Sequence, residues 1–312
     1  MRLGTRGSPL ALWQTEHVRT QLVQKRPDLV FETVVITTKG DFHQDKSLPL
    51  IGGKGLFTAE LESSLRNGLI DLAVHSLKDL PTQDAPGLVI GAVLHRADPA
   101  DVLVSRFGYD LATLPQGARV GTGSPRRAAQ MLHVRPDLRI LDLRGNADTR
   151  LRKAFDRLGS YDAIIIARAA LERLGRLDAI TMELPQEVML PAPGQGAVAV
   201  QCRDEPEILE LLKAVDHLPT RLETAGERAF LKGLGGGCAV PIAARGTFLP
   251  GGRLRLAGRV CAPDGTAKVD VVLEEALPSE TDWCQAAYAL GHRVAAEAVK
   301  KGAAELLGEA AP

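Results

Sequence analysis

The sequence GTRGSPLA at residues 4–11 is echoed by GTGSPRRA at residues 121–128. Each copy follows a short apolar segment and precedes a helical pattern, so both are predicted to join a strand to a helix. In each copy the serine is a good N-cap, and the proline after it suits the first helical position. The free N–H groups of such a helix start attract anions. We interpret the echo as two α/β domains that each offer an anion site to a shared cleft, although two ordinary capped helices would give the same pattern.

Strand-like and helix-like stretches alternate through the first two thirds of the chain. Apolar runs at residues 31–37, 70–75, 88–93 and 161–167 are typical of short strands, and residues 58–67 have helical spacing. This alternation favours an α/β fold with a largely parallel sheet. Ligands of such folds gather at loops beyond the carboxyl ends of the strands, so we expect the functional residues there.

The character of the sequence changes after residue 219. A helical pattern at residues 222–232 leads into a glycine-rich loop, and strand-like runs follow at residues 242–248, 253–260 and 268–274. A long helical pattern at residues 280–301 comes last. Strands followed by a helix predict a small α+β domain at the C-terminal end.

Composition limits the possible functions. The chain has 312 residues, of which 45% are hydrophobic, so two or three domains with real cores are expected. Lys plus Arg equals Asp plus Glu at 38 each, which excludes a global basic field for nucleic acid. No signal peptide and no apolar run long enough for a membrane span is visible, so we expect a cytoplasmic protein. The four cysteines form no C-x-x-C pair, which favours free thiols and no metal site.

Several basic residues fall in loops among Gly, Ser or Asp rather than on obvious solvated helix faces. A guanidinium binds a carboxylate through two parallel hydrogen bonds, so many of these groups in one cleft would suit a polycarboxylate. A surface ion pair remains the alternative for any one of them. The set comprises Arg6, Lys54, Lys78, Arg126, Arg127, Arg144 and Arg150.

Asp79 lies just beyond the end of an apolar strand, next to Lys78, in the sequence VHSLKDLP at residues 74–81. A carboxylate there is well placed for acid–base or electrostatic work. A turn former or a salt-bridge partner is the alternative.

Cys238 follows three glycines, at residues 235–237, in a loop with little steric cover. An accessible thiol can react as a thiolate, whereas a free cysteine is otherwise a small buried hydrophobe. We apply the second interpretation to Cys202, Cys261 and Cys284, and both stay open for Cys238.

Taken together, these stretches resemble the porphobilinogen deaminase family, also called hydroxymethylbilane synthase. They occur in family order over most of the chain, and as a set they are highly specific. The matching sequences are GTRGSPLALWQ at 4–14, GGKGLF at 52–57, VHSLKDLP at 74–81, GTGSPRR at 121–127, LRGN at 143–146, TRL at 149–151, LPAPGQG at 190–196 and GGCAVP at 236–241.

The resemblance implies an α/β fold with two type 2 periplasmic-binding-protein-like domains and a cleft, plus a small C-terminal α+β domain. Domain 1 would comprise residues 1–96 and 196–216 and carry the catalytic aspartate. Domain 2 would comprise residues 97–195 and carry the carboxylate-binding arginines. Domain 3 would comprise residues 217–312 and carry the cofactor cysteine.

The resemblance also implies an activity. The enzyme would be a transferase of tetrapyrrole and haem biosynthesis that links four porphobilinogen molecules head to tail and releases ammonia at each step. Hydrolysis would then free hydroxymethylbilane. A dipyrromethane cofactor, joined to Cys238 by a thioether, would prime the chain and stay on the protein. The family favours a monomer whose partner is this small molecule, with no nucleic acid and no membrane.

Roles for individual residues follow from the resemblance alone. Asp79 would be catalytic, stabilising positive charge on pyrrole nitrogens through N–H hydrogen bonds. The cofactor would be held by Cys238, Ser76, Lys78, Asp79, Thr122, Ser124, Arg126, Arg127, Arg144 and Gly145. The substrate carboxylates would be bound around Arg6, Ser8, Lys54, Phe57, Arg144, Arg150, Arg173 and Gln195.

Two positions depart from the family pattern, and two other protein classes remain to be weighed. Leu50 stands where many relatives have a second lysine, and Gly123 stands where they often have serine. A two-lobed dicarboxylate-binding protein would share the lobes and the arginines, but it needs no Gly-Gly-Gly-Cys loop. A transcriptional regulator with a similar effector domain would need a helix-turn-helix module and a basic surface, and the sequence shows neither.

Overall fold

The computed structural model describes residues 1–38, 58–83, 85–237, 240–278 and 282–308. The chain divides into two compact units. The first unit contains Met1–Ala97 and Gly196–Arg221, and the second contains Asp98–Gln195 and Leu222–Pro312.

The elements are numbered in chain order. The strands are β1 (Arg2–Thr5), β2 (Glu32–Val35), β3 (Leu72–Ser76), β4 (Leu88–Val93), β5 (Asp101–Val104), β6 (Arg119–Gly121), β7 (Arg139–Leu141), β8 (Ala163–Ala167), β9 (Met182–Glu183), β10 (Val198–Arg203), β11 (Ile242–Leu249), β12 (Arg253–Cys261) and β13 (Lys268–Ala276). The helices are α1 (Pro9–Lys25), α2 (Ala59–Arg66), α3 (Pro125–Val134), α4 (Ala147–Phe155), α5 (Arg168–Arg173), α6 (Pro206–Lys213), α7 (Leu218–Gly233), α8 (Trp283–Lys300) and α9 (Ala303–Leu307). Short 3₁₀ turns occupy Leu77–Asp79 and Leu177–Ala179.

The first unit is built on a five-stranded sheet in the order β2-β1-β3-β10-β4. Strands β2, β1 and β3 are parallel, whereas β10 runs antiparallel to both of its neighbours, with Val198 opposite Ser76. Strands β3 and β10 each begin with an apolar run, LAV and VAV, and Leu72 and Val200 of these runs are fully buried together with Leu3 of β1.

The sheet of the second unit repeats this pattern in the order β7-β6-β8-β5-β9. Strands β7, β6 and β8 are parallel, and β5 runs antiparallel to β8 and β9. The two echoed sequences follow β1 and β6, which occupy the second position of their sheets, and each leads into a helix that begins with proline. The predicted α/β class of both parts is confirmed, with one antiparallel strand within each largely parallel sheet.

The C-terminal part of the second unit is a three-stranded antiparallel sheet in the order β11-β12-β13, packed with α7, α8 and α9. Its core includes Phe230, Leu256 and Leu290, all fully buried. The Phe230 ring lies directly over Gly258, where a β-carbon would come within 2.5 Å of the ring. The predicted small α+β domain is therefore confirmed. None of the helices in the described ranges combines the length and hydrophobicity needed to cross a bilayer.

Candidate active site

The first group of predicted residues lies at one edge of the first unit's sheet. Because β1 and β3 are parallel neighbours, the loops that follow them begin at the same edge. Arg6 and Ser8 follow β1, whereas Ser76 ends β3 and the 3₁₀ turn Leu77–Asp79 follows at once. Lys78 is half-buried in this turn and Asp79 is exposed, so its carboxylate is open to a ligand.

Gln14 belongs to this edge although the site prediction left it out. Its Nε2 lies 2.9 Å from Oγ of Ser76, and the side chain is buried. This hydrogen bond fixes the first turns of α1 against the end of β3. The only sequence signal is that Gln14 shares the buried face of the helix with Val18 and Leu22, at helical spacing.

Ser8 is the N-cap of α1, and its Oγ accepts a hydrogen bond from the Ala11 N–H at 3.3 Å. The backbone around it therefore has the helix-start geometry that the sequence predicted. The proline at the first helical position completes this cap.

His75 is buried in the same strand end. Burial lowers its pKa to about 4; a side-chain hydrogen bond with Gln201 opposes this shift, and the nearby Arg6 guanidinium adds to it. His75 is therefore uncharged at neutral pH, and the positive charge at this edge comes from Arg6 and Lys78.

The second group of predicted residues lies at the matching edge of the second unit's sheet. Thr122 and Ser124 follow β6, Arg144 and Gly145 follow the parallel neighbour β7, and Arg173 ends the helix that follows β8. Since the carboxyl ends of parallel neighbours meet at one edge, the fold places the Thr122–Ser124 loop and the Arg144–Gly145 loop at the same edge. Burial lowers the pKa of Arg173 to about 10, while Glu172 opposes the shift, so the guanidinium stays charged at neutral pH.

The loop after β7 is shaped by Gly145. Its φ of +108° suits glycine, and a β-carbon there would lie 2.6 Å from Cγ2 of Thr149. Arg150 donates from Nε to the Gly145 carbonyl at 2.8 Å, and Arg144 donates from Nε to Asp142 at 2.9 Å. Both predicted arginines are thus tied to the loop through Nε.

Gly123, the departure from the family pattern in this unit, has a steric explanation. A β-carbon at Gly123 would lie 2.9 Å from the Leu143 carbonyl oxygen and 3.2 Å from Oδ1 of Asp142. The two residues that flank Gly123 are also bonded to each other, since Oγ1 of Thr122 accepts a hydrogen bond from the Ser124 N–H at 3.2 Å. The β6 loop therefore packs against the β7 loop more closely than a side chain at residue 123 would allow.

Arg126 and Arg127 lie in the first turn of α3 and are almost completely buried against Asp101, the first residue of β5. Nη1 of Arg126 donates to Oδ2 of Asp101 at 2.7 Å, whereas Nε and Nη2 of Arg127 donate to Oδ1 at 3.0 and 2.7 Å. Gln195 donates to the same Oδ1 at 2.9 Å. Three of the predicted ligand-binding residues therefore share one carboxylate of the protein itself.

The charges of this cluster shift the pKa values of its members. Burial opposes ionisation of Asp101, but the two guanidinium groups outweigh it and hold the pKa of this carboxyl far below its usual range. Burial lowers the pKa of Arg126, and Asp101 offsets part of this change. Two arginines face one carboxylate, so one positive charge is left over. The site prediction did not include Asp101, whose signal was an acidic residue at the head of the buried strand DVLV.

Three cysteines can be placed. Cys202 and Cys261 are buried in strands, and desolvation raises the pKa of each thiol to about 11, which makes them poor nucleophiles. Cys284 is exposed on α8. Cys238, Lys54, Phe57 and Leu50 lie outside the residues that the structure describes.

Comparison with known protein families identifies the family of this chain. The profile "Porphobilinogen deaminase, dipyromethane cofactor binding domain" matches residues 1–210, and "Porphobilinogen deaminase, C-terminal domain" matches residues 222–300. The chain belongs to the porphobilinogen deaminase family. The resemblance inferred from the sequence motifs is thereby confirmed. The predictions of an enzyme of tetrapyrrole synthesis and of a dipyrromethane cofactor are confirmed with it.

Individual relatives match over almost their whole length. The porphobilinogen deaminase of Pelotomaculum thermopropionicum is 49% identical, with 99% of this chain and 96% of the relative covered. The porphobilinogen deaminase of Brevibacillus brevis is 47% identical with the same coverage. Among solved structures, the alkanesulfonate-binding protein SsuA from Xanthomonas axonopodis pv. citri is 15% identical, with a TM-score of 0.38 over 100% of this chain and 95% of that one.

Proposed function

We propose that this chain links four porphobilinogen molecules head to tail, with release of ammonia at each step, and frees hydroxymethylbilane by hydrolysis. It would act as a transferase, a hydroxymethylbilane synthase. The observation that carries the proposal is the edge of the first sheet, where exposed Asp79 lies one residue after Lys78 and shares the edge with Arg6. A carboxylate beside cations suits a reaction in which an anionic substrate develops positive charge on a ring nitrogen.

The hydrogen-bond donors of the candidate site suit a cofactor that carries several carboxylates. Bound dipyrromethane would supply the pyrrole carbon to which the first substrate unit is joined. Cys202 and Cys261 are closed off by burial, Cys284 is exposed on α8, and the family motif GGCAVP at 236–241 favours Cys238 as the thioether anchor. Hydrogen-bond donors for its acetate and propionate groups would come from Ser76, Lys78, Thr122, Ser124, Arg126, Arg127, Arg144 and Gly145.

Substrate binding would use basic residues together with Ser8, Phe57 and Gln195, and Arg144 would serve both cofactor and substrate. Each porphobilinogen adds two carboxylates, so charged and partly desolvated guanidinium groups are suited to hold the growing product. Arg173 is the strongest example, because burial has already removed part of its hydration shell. The proposed binding residues are Arg6, Ser8, Lys54, Phe57, Arg144, Arg150, Arg173 and Gln195.

Asp79 would do the chemical work at each condensation. Its carboxylate would accept a hydrogen bond from the pyrrole N–H where positive charge develops, and it would take up or return a proton there. Neutral His75, buried behind the turn, adds no further cation to the edge. Lys78 would hold a cofactor carboxylate, and Arg6 would orient a substrate carboxylate.

These roles would be divided among three domains. We propose domain 1 at residues 1–96 and 196–216, domain 2 at 97–195 and domain 3 at 217–312. Separate cores support a division between the last two, since one cluster contains Leu103, Met131 and Ile165 and another contains Phe230 and Leu256. We further propose a cytoplasmic monomer that acts on a small molecule and binds neither nucleic acid nor membrane.

Intact-mass spectrometry of the purified protein tests the proposal. We expect an adduct with the mass of two pyrrole units, together with consumption of porphobilinogen and release of ammonia. Cys238→Ser should lack both the adduct and the activity. An unmodified mass in protein that turns over porphobilinogen would refute the covalent cofactor, and binding of porphobilinogen without ammonia release would instead indicate a dicarboxylate-binding protein.

A further inference from the structure

The guanidinium of Arg126 is held by one of its two terminal nitrogens. Nη1 donates to Oδ2 of Asp101 at 2.7 Å and to the Leu190 carbonyl at 2.8 Å, with Sδ of Met189 a longer third contact at 3.5 Å, so both of its hydrogens are used. Within the part of the chain that the structure describes, no oxygen accepts a hydrogen bond from Nε or Nη2. The direction in which these remaining donors point is therefore set by Asp101 and by the position of the Leu190 carbonyl.

Leu190 is itself held by Gln130, one turn along α3 from Arg126. The Leu190 N–H donates to Oε1 of Gln130 at 2.8 Å, and Nε2 of Gln130 donates back to the Leu190 carbonyl at 3.1 Å. A second bond from Nε2 reaches the Arg126 carbonyl at 3.2 Å. Gln130 is 2% exposed, so these bonds are shielded from water.

A further bond to Gln130 comes from strand β12. Arg259 donates from Nη1 to Oε1 of Gln130 at 3.0 Å, and its Nε lies 2.6 Å from Oδ1 of Asp270. Arg259 is 7% exposed. With this contact both lone pairs and both hydrogens of the Gln130 amide are used, so the amide can adopt only one orientation.

We propose that Arg259 and Gln130 are positioning residues that set the Leu190 carbonyl and, through it, the guanidinium of Arg126 for binding a cofactor carboxylate. The inference rests on the proposed function, in which Arg126 holds dipyrromethane. The C-terminal α+β part, whose sequence includes Cys238, thereby orients Arg126, the residue on α3 that would bind a cofactor carboxylate. Arg259 also donates to the Glu187 carbonyl at 3.1 Å, so it acts on Leu190 both through the buried amide and through the segment that leads to Leu190.

The rate of cofactor loading tests this relay of contacts, which leads from Arg259 through Gln130 and the Leu190 carbonyl to Arg126. The intact mass of the full-length protein, sampled at intervals after expression begins, gives the rate at which the adduct appears. Arg259→Met and Gln130→Met should each slow loading roughly tenfold, the effect of one misplaced hydrogen bond of about 1.4 kcal/mol. Arg255→Met is the matched control, because Arg255 is exposed on the same strand, and it should load at the wild-type rate.

A double-mutant cycle separates positioning from a general loss of structure. Arg126→Lys should slow loading, because an ammonium lacks the planar fork of donors. Arg126→Lys combined with Arg259→Met should be no slower than Arg126→Lys alone, because both changes remove the same contact. Asp270→Asn, which weakens one support of Arg259, should give a smaller effect with the same non-additivity and serves where Arg259→Met fails to fold.

Each other outcome overturns a specific statement. Normal loading of Arg259→Met and Gln130→Met beside slow loading of Arg126→Lys refutes the relay and leaves the role of Arg126 intact. Additive effects in the double mutant show that Arg259 acts independently of Arg126. Normal loading of Arg126→Lys removes both the relay and the cofactor role of Arg126. An unloaded but active wild-type protein refutes the proposed function and the relay with it.

Discussion

Nη1 of Arg126 lies 2.7 Å from Oδ2 of Asp101, and the exposures of the two side chains are 5% and 0%. Arg127 approaches the other carboxylate oxygen at the same distance. One aspartate thus compensates for half of a buried pair of cations and orients both of them. Asp101 makes an excess positive charge tolerable inside the second unit, where an anionic ligand can use it.

Asp101→Asn should be strongly destabilising. The amide keeps the size of the side chain but leaves two buried guanidinium groups without a counter-charge, a change expected to cost about 3–5 kcal/mol. The midpoint of thermal unfolding should fall accordingly. Asp142→Asn removes an exposed partner of Arg144 and should leave the midpoint nearly unchanged. Equal midpoints for the two variants would show that Asp101 does not hold the pair.

The fold could be predicted from sequence largely because its signals are local. The echoed serine–proline starts and the apolar runs of β3 and β8 depend on neighbours along the chain, and these were sufficient for two α/β parts. The antiparallel direction of β5 and β10 was not predicted, because strand direction depends on how distant segments pair rather than on side-chain alternation.

The candidate site was harder to predict in full. Arg6, Lys78 and Asp79 are recognisable because loops beyond strand ends are where ligands gather in this kind of fold. Asp101 and Gln14 are not, since their roles exist only through partners far along the chain: Asp101 bonds Arg126 and Arg127, and Gln14 bonds Ser76. Without the tertiary structure, the two arginines appear available to a ligand, whereas part of their hydrogen-bonding capacity is used by the protein.

Asp79→Asn should reduce kcat for porphobilinogen by orders of magnitude and leave the unfolding midpoint unchanged. The amide cannot stabilise positive charge on a pyrrole nitrogen as a carboxylate does, and the exposed side chain contributes little to packing. The adduct should still form at least in part, which intact mass would detect. Asp178→Asn is the matched control, because Asp178 is an exposed acid in the other 3₁₀ turn. A near-normal kcat for Asp79→Asn would refute its catalytic assignment.

His75 should make the first unit sensitive to mild acid. Burial lowers its pKa from 6.5 to about 4, so the unfolded chain binds the extra proton between these pH values. The contribution of neutral His75 to the free energy of unfolding is therefore fully present above about pH 6.5. It is lost as the pH falls towards 4, by at most about 3 kcal/mol. The unfolding midpoint of the wild type should drop between about pH 7.5 and pH 5.

The variant His75→Gln isolates this contribution, because the amide is polar, close in size and does not titrate. Its midpoint should change less than that of the wild type over the same pH interval. His292→Gln, which alters a half-buried histidine on α8, should retain the full drop. If the drop persists undiminished in His75→Gln, another group causes the acid sensitivity.

Gly145→Ala should impair substrate binding through the shape of the loop after β7. The residue has φ of +108°, and a β-carbon would lie 2.6 Å from Cγ2 of Thr149, so the loop must shift as well as accept a strained backbone. Because the Gly145 carbonyl accepts from Arg150 and the next residue back is Arg144, both guanidinium groups should move. We expect KM for porphobilinogen to rise roughly tenfold, the effect of losing one charge-assisted hydrogen bond.

Gly108→Ala separates backbone strain from loop displacement. Gly108 also has a positive φ, of +74°, but no atom lies within 4 Å of its β-carbon position. Both variants should lose about 1 kcal/mol of stability from strain, whereas only Gly145→Ala should raise KM. If KM rises equally in both, general destabilisation accounts for the effect, and the Gly145 loop does not position the arginines.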